Sequence, residues 1–593
     1  MFTYNSRRSR RAVGTLLSTL TLCSPLVFGI ARPAHAWGAE GHAFSAQLAV
    51  RSLPKSPFQE ALARNEAWFA KASSHPDRWR GRNDAAEAGR HFLDAEHFGH
   101  GTHVTEIPAQ YAEVVKTRTY QQLRTDGIVP WTVDRDYKLL VRALRDKRWE
   151  DAFVQAAYLS HYVADSHVPF HASENYDGQL SEPSQKGIHS RFETQTLQRS
   201  IKISDLKLGQ PDKVTDPEGQ IFGVLQASID RVPEVLAADR AAVKASNGAY
   251  DDTYWGAFTP KSRTIAISRL EAAGRFLAGT LQAAWEEAGK PTPPAGFVMT
   301  DRLLPYAPEF VPRGETAAPN PPIVGEDDKQ TARSRAKEIN IPSKLVNRDV
   351  KAMLLLPTGY DAPENANRRY PVLYLLHGLG GNYQNWNAQS GIAAYAKDHP
   401  FIIVMPDGGN TWYANSDKFG KMGDFFGREM VEYIDKTYRT DARREGRVIA
   451  GLSMGGYGAW RTALDNPQTF CAAASLSGAF LAGDGDPASP QLSLIINSLY
   501  NKVPTKEEYG RERLVPRIEK FVKGKEYTGP ALYFDIGTDD FIVDSGRVME
   551  QSLLERGVPY EFSEFPGKHD WAYWDAHIRD VMQFAERHFG PAK

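Results

Sequence analysis

Cysteine is the scarcest residue in the 593-residue chain, with only Cys23 and Cys471 present. Cys23 falls in a segment read below as removed on export, so the remainder cannot form an intramolecular disulfide. An excess of one charge is also missing. Lys and Arg number 71 against 72 Asp and Glu, a net charge of −1, which excludes a long-range field for nucleic acid or anionic membrane. Beyond the first forty residues no apolar run is long enough to span a bilayer, so stable membrane insertion is not expected. Internal repeats are absent as well. What is present is an ordinary globular composition, 41% apolar and 24% charged, on a chain too long for one hydrophobic core.

Residues 1–36 have a different character. Arg7, Arg8, Arg10 and Arg11 precede an apolar run from about Ala12 to Ile30, and Ala34-His35-Ala36 closes it. A basic start, a short apolar stretch and a small-x-small end describe a secretory signal cleaved between Ala36 and Trp37. Ser24-Pro25 interrupts the run, which argues against an anchor. The residues after Ser9-Arg10-Arg11 fit a twin-arginine signal poorly, and Cys23 has no small residue before it to favour lipid attachment. The expected location is secreted or periplasmic. An exported chain without disulfides needs another source of stability, and bound metal is one.

The mature chain divides by pattern. Residues 37–290 are helical in periodicity, with segments such as Tyr137–Trp149 and Phe153–Val163 repeating apolar residues at three and four. Residues 291–332 carry Pro291, Pro293, Pro294, Pro305, Pro308, Pro312, Pro319, Pro321 and Pro322, which predicts an extended linker. In residues 333–593, short apolar runs (PVLYLLHG, FIIVMPDGG, RVIAGLSMGG, ALYFDIG) alternate with helical stretches. That rhythm predicts an α/β domain with a mostly parallel sheet and helices on both faces. The expected fold is multidomain, an all-α half followed by an α/β half.

The helical half holds most of the histidine. His161 and Asp165 are four apart and leave one helix face, Pro169 breaks the turn, and His171 follows. His189 and Glu193 repeat the spacing of four, and Asp77 and His91 add donors. Nitrogen and oxygen donors of this kind suit zinc, although one such pair alone describes a surface ion pair. His97, His100 and His103 recur every third residue beside glycines and read as a solvent-facing loop, with an added metal site as the alternative, and His167 as a residue supporting its neighbours.

Taken together, these residues resemble the zinc-dependent phospholipase C and single-strand nuclease superfamily. Mature chains of that group begin with Trp, as here with Trp37 in WGAEGH, and His42, Asp77, His91, His161, Asp165, His171, His189 and Glu193 follow in family order. The resemblance implies three zinc ions: one among Asp77, His91, His161 and Asp165, one on His171, His189 and Glu193, and one on the Trp37 amine and carbonyl, His42 and Asp165. It also implies a role for Asp77 in orienting the attacking water. Asp94 matches a nuclease base-contact position or else caps or pairs locally, and Arg80, three residues after Asp77, either offsets charge on the phosphorane or is a surface residue. The spacing from Trp37 to His42 and the HFLDA run look like the nucleases. Glu193 in GIHSRFE looks like the phospholipases, and the paired cysteines of some nucleases are absent. A phospholipase-C-like phosphodiesterase is expected, with a single-strand nuclease as the alternative.

In the second half, Gly451–Gly455 reads GLSMG, a G-x-S-x-G turn between the strand-like RVIA and a helix-like run. Such a turn lifts the Ser453 hydroxyl above the sheet. HGLGG at His377–Gly381 offers the Leu379 amide, and Met454 a second amide, to an oxyanion. Asp540 and His569 complete the order Ser, acid, His, with Asp539 and Asp544 as alternative acids. VLYLLHG, GGNTWYANS, GLSMGGYGAW, GTDDFIVD and GKHDWAYW resemble the esterase D family of α/β-hydrolases, and Lys502–Lys525 reads as an insertion, a candidate cap. The chain as a whole is expected to be an exported bifunctional hydrolase of ester bonds. Its expected substrates are small-molecule or lipid esters, with nucleic acid entering only as a substrate of the zinc domain. A further alternative makes the zinc domain structural and Ser453 the sole catalytic centre. Oligomeric state is not encoded in any of these motifs.

Overall fold

Apolar spacing at three and four builds the described part of the first half from helices. The principal ones are α1 (Gly38–Ser52), α2 (Val129–Arg145), α3 (Trp149–Ser166), α4 (Pro217–Ile229), α5 (Val232–Ala245) and α6 (Asp252–Glu287). The computed structural model describes residues 37–79, 85–118, 120–299, 324–484, 487–488, 495, 499–524 and 526–590. The expected signal segment, Arg80 and the middle of the linker lie outside these residues.

Helix α3 is the centre of the bundle. Every residue from Ala152 to Ser166 is buried, the signature of a helix covered on all sides. Its neighbours begin at side-chain caps: Asp216 accepts from the Gly219 amide to start α4, and Asp251 from the Tyr254 amide to start α6. The Tyr137–Trp149 segment is not one helix. Helix α2 stops at Arg145, Lys147 turns to a φ of 57°, and α3 restarts at Trp149. The Lys147 and Arg148 amides donate back to Leu144 and Ala143, closing α2 with a left-handed cap.

The linker also differs from expectation at both described ends. Residues 291–299 pack onto the helical half, where Asn65 donates to the Phe297 carbonyl at 3.1 Å and accepts from the Met299 amide at 2.7 Å. Glu326–Arg333 form helix α7 instead of extended chain. The prolines have ended by Pro322, and three acids in the first turn with Arg333 in the last complement the helix dipole.

The second half is an eight-stranded sheet. Its strands are β1 (Lys337–Ser343), β2 (Arg348–Leu355), β3 (Val372–Leu376), β4 (Ile402–Pro406), β5 (Arg447–Leu452), β6 (Ala472–Leu476), β7 (Ala531–Gly537) and β8 (Glu561–Phe565), in the order β1-β2-β4-β3-β5-β6-β7-β8. Strands β4 to β8 pair in parallel, and β1 and β2 add an antiparallel edge. Alternate residues of β3 enter different cores. Val372, Tyr374 and Leu376 face the side covered by α8 (Met454–Asp465) and α9 (Val543–Glu555), while Leu373 and Leu375 face α10 (Trp571–His588). Helices therefore cover both faces, as the sequence predicts.

The two halves touch, and the described residues form one compact unit. Helix α9 lies against α2, where Arg135 donates to Glu550 at 2.8 Å and the Arg142 guanidinium sits 4.2 Å over the Tyr560 ring. Tyr111 donates to Asp544, and Arg90 to Glu564.

Candidate functional site

Strand β5 runs through the middle of the sheet and ends at Leu452, one residue before Ser453. That residue holds φ 53° and ψ −117°, a conformation L-residues avoid. It survives because β5, α8 and the β3 loop lock it in place. A Cβ at Gly455 would sit 2.6 Å from the His377 carbonyl oxygen and 2.7 Å from that of Leu376. A Cβ at Gly378 would lie 2.5 Å from Leu452 Cδ1 and 3.5 Å from Ser453 Cβ. The HGLGG loop is thus pressed against the serine turn, and only glycine fits at these crossings. Replacing Gly455 with alanine is expected to cost about 1–3 kcal/mol of stability and most of the esterase activity, checked by denaturant midpoint and acyl-ester turnover.

Ser453 Oγ lies 3.0 Å from His569 Nε2, and His569 Nδ1 lies 2.8 Å from Asp540 Oδ2. Asp540 is buried, and its carboxylate accepts from the imidazole and from the Ile542 amide. Of the alternative acids, Asp544 points away to Tyr111 of the helical half, and the Asp539 amide donates to Gly567. Met454 is the first residue of α8, where an amide has no carbonyl within the helix to serve. Leu379 is half-buried on the loop that Gly378 presses toward Ser453. Phe541, 68% exposed, and Trp574 flank the His569 ring at 4.7 and 5.0 Å. Sequence reasoning did not single out either aromatic. Within the predicted insertion, Glu512 binds the helix behind the serine, where Tyr457 donates to its carbonyl at 2.9 Å and Arg461 pairs with its carboxylate at 3.1 Å.

In the helical half, α1, α3 and the turns around residues 77, 91, 171 and 193 bring the imidazole and carboxylate groups together. Three sets each lie within ligand-sharing distance: His42, Asp77 and His161; His91, His161 and Asp165; and His171, His189 and Glu193. Asp165 Oδ2 is 2.8 Å from His91 and 3.2 Å from His161, while its Oδ1 is 3.4 Å from His42 and 3.9 Å from His171. This carboxylate therefore touches all three sets. Asp77 is 3.9 Å from both His42 and His161. It groups with His42 and His161, whereas the resemblance placed it with His91, His161 and Asp165. The His42 and His161 rings stack at 3.9 Å.

One local departure from regular helix and the buried Trp37 shape the site. Arg191–Gln195 is a π-helical turn rather than plain α-helix, yet His189 Nε2 and Glu193 Oε2 still meet at 2.9 Å. Such widened turns recur at functional sites. Trp37 is fully buried, its indole donates to the Ala164 carbonyl at 2.9 Å beside Asp165, and its own carbonyl accepts from the Gly41 amide at 3.2 Å. A carbonyl oxygen has a second lone pair, so that bond leaves room for another partner.

The donor set fits a cation. Both ring nitrogens of His42, Oδ1 of Asp165 and Oε1 of Glu193 are buried without a hydrogen bond, at about 1–3 kcal/mol for each unmet group. Burial, and next the neighbouring His161, pushes the His42 imidazole down to about 3, which keeps it neutral as a ligand must be. Burial pushes the Glu193 carboxyl up to about 7 against the pull of His189. Burial would also raise Asp165, but His161 and His171 hold it well below the ordinary carboxylate range. Asp77 is the most open of these side chains, at 21% exposure against 7% or less for the other seven.

The remaining histidines separate from this pocket. His97 pairs with Asp126 and Glu174, His100 with Glu106, and His103 is exposed, the solvent-side loop that the sequence predicts. His167 is buried and bonds to the Val163 carbonyl at 2.7 Å. Asp94 is buried with its amide on the Asp126 carbonyl. Sequence reasoning missed Glu87, a buried carboxylate 3.1 Å from His91 Nε2 that also accepts from Tyr162 at 2.7 Å.

This arrangement places a Ser–His–Asp triad in one half and a buried cluster of histidines and carboxylates in the other. Residues 343–584 match the esterase family model and form an α/β-hydrolase domain, and residues 37–187 match the S1/P1 nuclease family model. The chain thus joins an S1/P1 nuclease domain to an esterase-family domain. An acetyl esterase of Caldicellulosiruptor saccharolyticus is 27% identical over 261 residues, 42% of this chain and 97% of its own length. An esterase of Mycobacterium tuberculosis is 32% identical over 238 residues, 36% of this chain and 51% of its own. A solved ferulic acid esterase is 27% identical, with 43% of this chain and 98% of its own covered at a TM-score of 0.37. Among the described residues no helix is long and apolar enough to cross a membrane.

Proposed function

We propose that the chain is an exported bifunctional hydrolase, a serine carboxylesterase joined to a zinc-dependent phosphodiesterase. The hydrogen-bonded run Ser453–His569–Asp540 carries the first activity. His569 Nε2 takes the Ser453 proton as Oγ attacks an acyl carbonyl, and Asp540 holds the imidazole in the tautomer that can do so. The Met454 and Leu379 amides receive the developing oxyanion. His569 then returns the proton to the leaving alcohol, and water releases the acyl group by the same path reversed. Similarity to an acetyl esterase supports a short acyl group.

The convergence of His42, Asp77, His91, His161, Asp165, His171, His189 and Glu193 supports the second activity. These residues, with the Trp37 amine and carbonyl, would hold three zinc ions. Zinc bound there supplies Lewis acidity and a water deprotonated near neutral pH. Asp77, the most open of these side chains, would orient the attacking water towards a phosphodiester. Glu193 in its GIHSRFE context supports a phospholipase-C-like substrate. The match to the S1/P1 nuclease family supports a second reading, single-strand nuclease activity.

Release of phosphorylcholine from a chromogenic ester, set against degradation of denatured DNA, separates the two readings. Chelator-sensitive turnover of neither substrate would defeat both. Cleavage after Ala36 makes the Trp37 amine available, so one extra glycine before Trp37 should weaken zinc binding, as read by chelator competition. Unchanged zinc affinity would remove Trp37 from the site.

A further inference from the structure

His91 is held from two sides. Its Nε2 lies 3.1 Å from Glu87 Oε1. Its Nδ1 lies 2.8 Å from Asp165 Oδ2 and 3.0 Å from His161 Nε2. With the proton on Nε2 and donated to Glu87, the Nδ1 lone pair is left for a metal in the pocket. Glu87 itself is fixed by the Tyr162 hydroxyl at 2.7 Å and by Arg90 at 3.3 Å. Arg90 then reaches across the boundary between the halves to Glu564 on β8, at 2.6 Å, a partner 474 residues away. Glu564 is clamped from its other side by Arg547 of α9, through two bonds of 2.7 and 2.8 Å. Glu87, Arg90 and Glu564 are all buried, so their charges answer one another rather than solvent.

We propose that Glu87, Arg90 and Glu564 are positioning residues for the metal pocket, and that the esterase half completes that pocket by holding Arg90 against Glu87. Glu87 fixes the tautomer and ring plane of His91, as carboxylates do behind metal-bound imidazoles. Arg90 keeps Glu87 in place, and Arg90 in turn requires Glu564. The two domains are then more than tethered, because one supplies a structural part of the other's centre. Coupling of this kind is reciprocal, so metal in the helical half also favours the native seat of β8.

The inference rests on the reading that the pocket binds metal, and the experiment separates the two. The mature full-length chain is stripped and titrated with Co²⁺ against a chelator, with affinity and the visible absorption spectrum as readouts. Wild type, Glu87→Gln, Glu564→Gln and Tyr111→Phe are compared. Tyr111→Phe breaks another contact between the halves, that with Asp544, without touching Glu87.

Glu87→Gln and Glu564→Gln should each weaken the tightest Co²⁺ site about 10–100-fold and alter its spectrum, while Tyr111→Phe changes neither. Acyl-ester turnover and far-UV circular dichroism report whether each variant is folded. Where Glu564→Gln is not, Arg90→Met/Glu564→Leu, which removes both charges together, is measured with the same two outcomes. No Co²⁺ binding by wild type would sink the metal reading itself. Binding by wild type with unchanged affinity in Glu564→Gln, or equal weakening in Tyr111→Phe, would overturn the positioning role.

Discussion

Replacing Ser453 with alanine should lower kcat for acyl esters by about 10⁴–10⁶-fold and leave phosphodiester turnover unchanged. The size follows from the way the triad acts as one unit. Without Oγ there is no attacking atom, and His569 and Asp540 have nothing to activate. What survives is the oxyanion pocket and substrate binding, which still polarise the carbonyl for attack by water. Folding should be unaffected, because the strain at residue 453 is fixed by the Gly451–Gly455 turn and the β3 loop rather than by the hydroxyl. Parallel assays on a short acyl ester and on a phosphodiester check both halves of the prediction. Retained acyl-ester cleavage would remove Ser453 from the mechanism.

Replacing His161 with alanine should have the opposite effect, abolishing phosphodiester turnover while acyl-ester kcat at 25 °C stays within a few-fold. His161 is the residue shared by two of the three donor sets, so its loss disturbs both at once. It is fully buried, and its Nδ1 bonds to the Ser73 carbonyl at 2.8 Å, which leaves only Nε2 for the pocket. Stability should fall as well. A metal present at about 1,000 times its Kd contributes about 4 kcal/mol to the folded state, and the variant forfeits much of that. Metal counting and a thermal melt with and without chelator report the loss. Full phosphodiesterase activity in this variant would show that the cluster is not the catalytic centre. An unchanged acyl-ester rate with no phosphodiesterase in the wild type would favour a structural zinc domain.

The parts of both centres that lie close together in the chain were legible from the sequence. Ser453, its flanking glycines and Met454 sit in five residues, and His161, Asp165 and His171 in eleven. Spacing alone places such groups on one face or one turn. The strongest strands were legible too, since β3, β4, β5 and β7 are continuous apolar runs, as strands buried on both faces must be. Strand β6 was not, because AAASL is too small in its side chains to read as a strand. The edge strands β1 and β8 alternate or carry charge, which reads equally well as loop. The π-helical turn at Arg191–Gln195 left no mark on a spacing of four.

Glu87 was missed for a different reason. Its meaning depends on Arg90 and on Glu564, a partner at the other end of the chain, and no local pattern encodes that pairing. The contact between the halves was hidden in the same way. A proline-rich stretch suggests separation, whereas the ion pairs that join α2 to α9 and the Glu87 region to β8 come from residues that look like ordinary surface charges in sequence.

The most direct test of two chemically distinct ester-cleaving centres is a chelator titration on one preparation of the untagged chain beginning at Trp37. A phosphodiester and a short acyl ester are assayed in the same samples. Phosphodiester turnover should fall to zero as zinc is withdrawn and return on adding zinc back, while acyl-ester turnover holds within a few-fold throughout. Loss of both activities in parallel, or phosphodiester cleavage that persists without metal, would contradict the account.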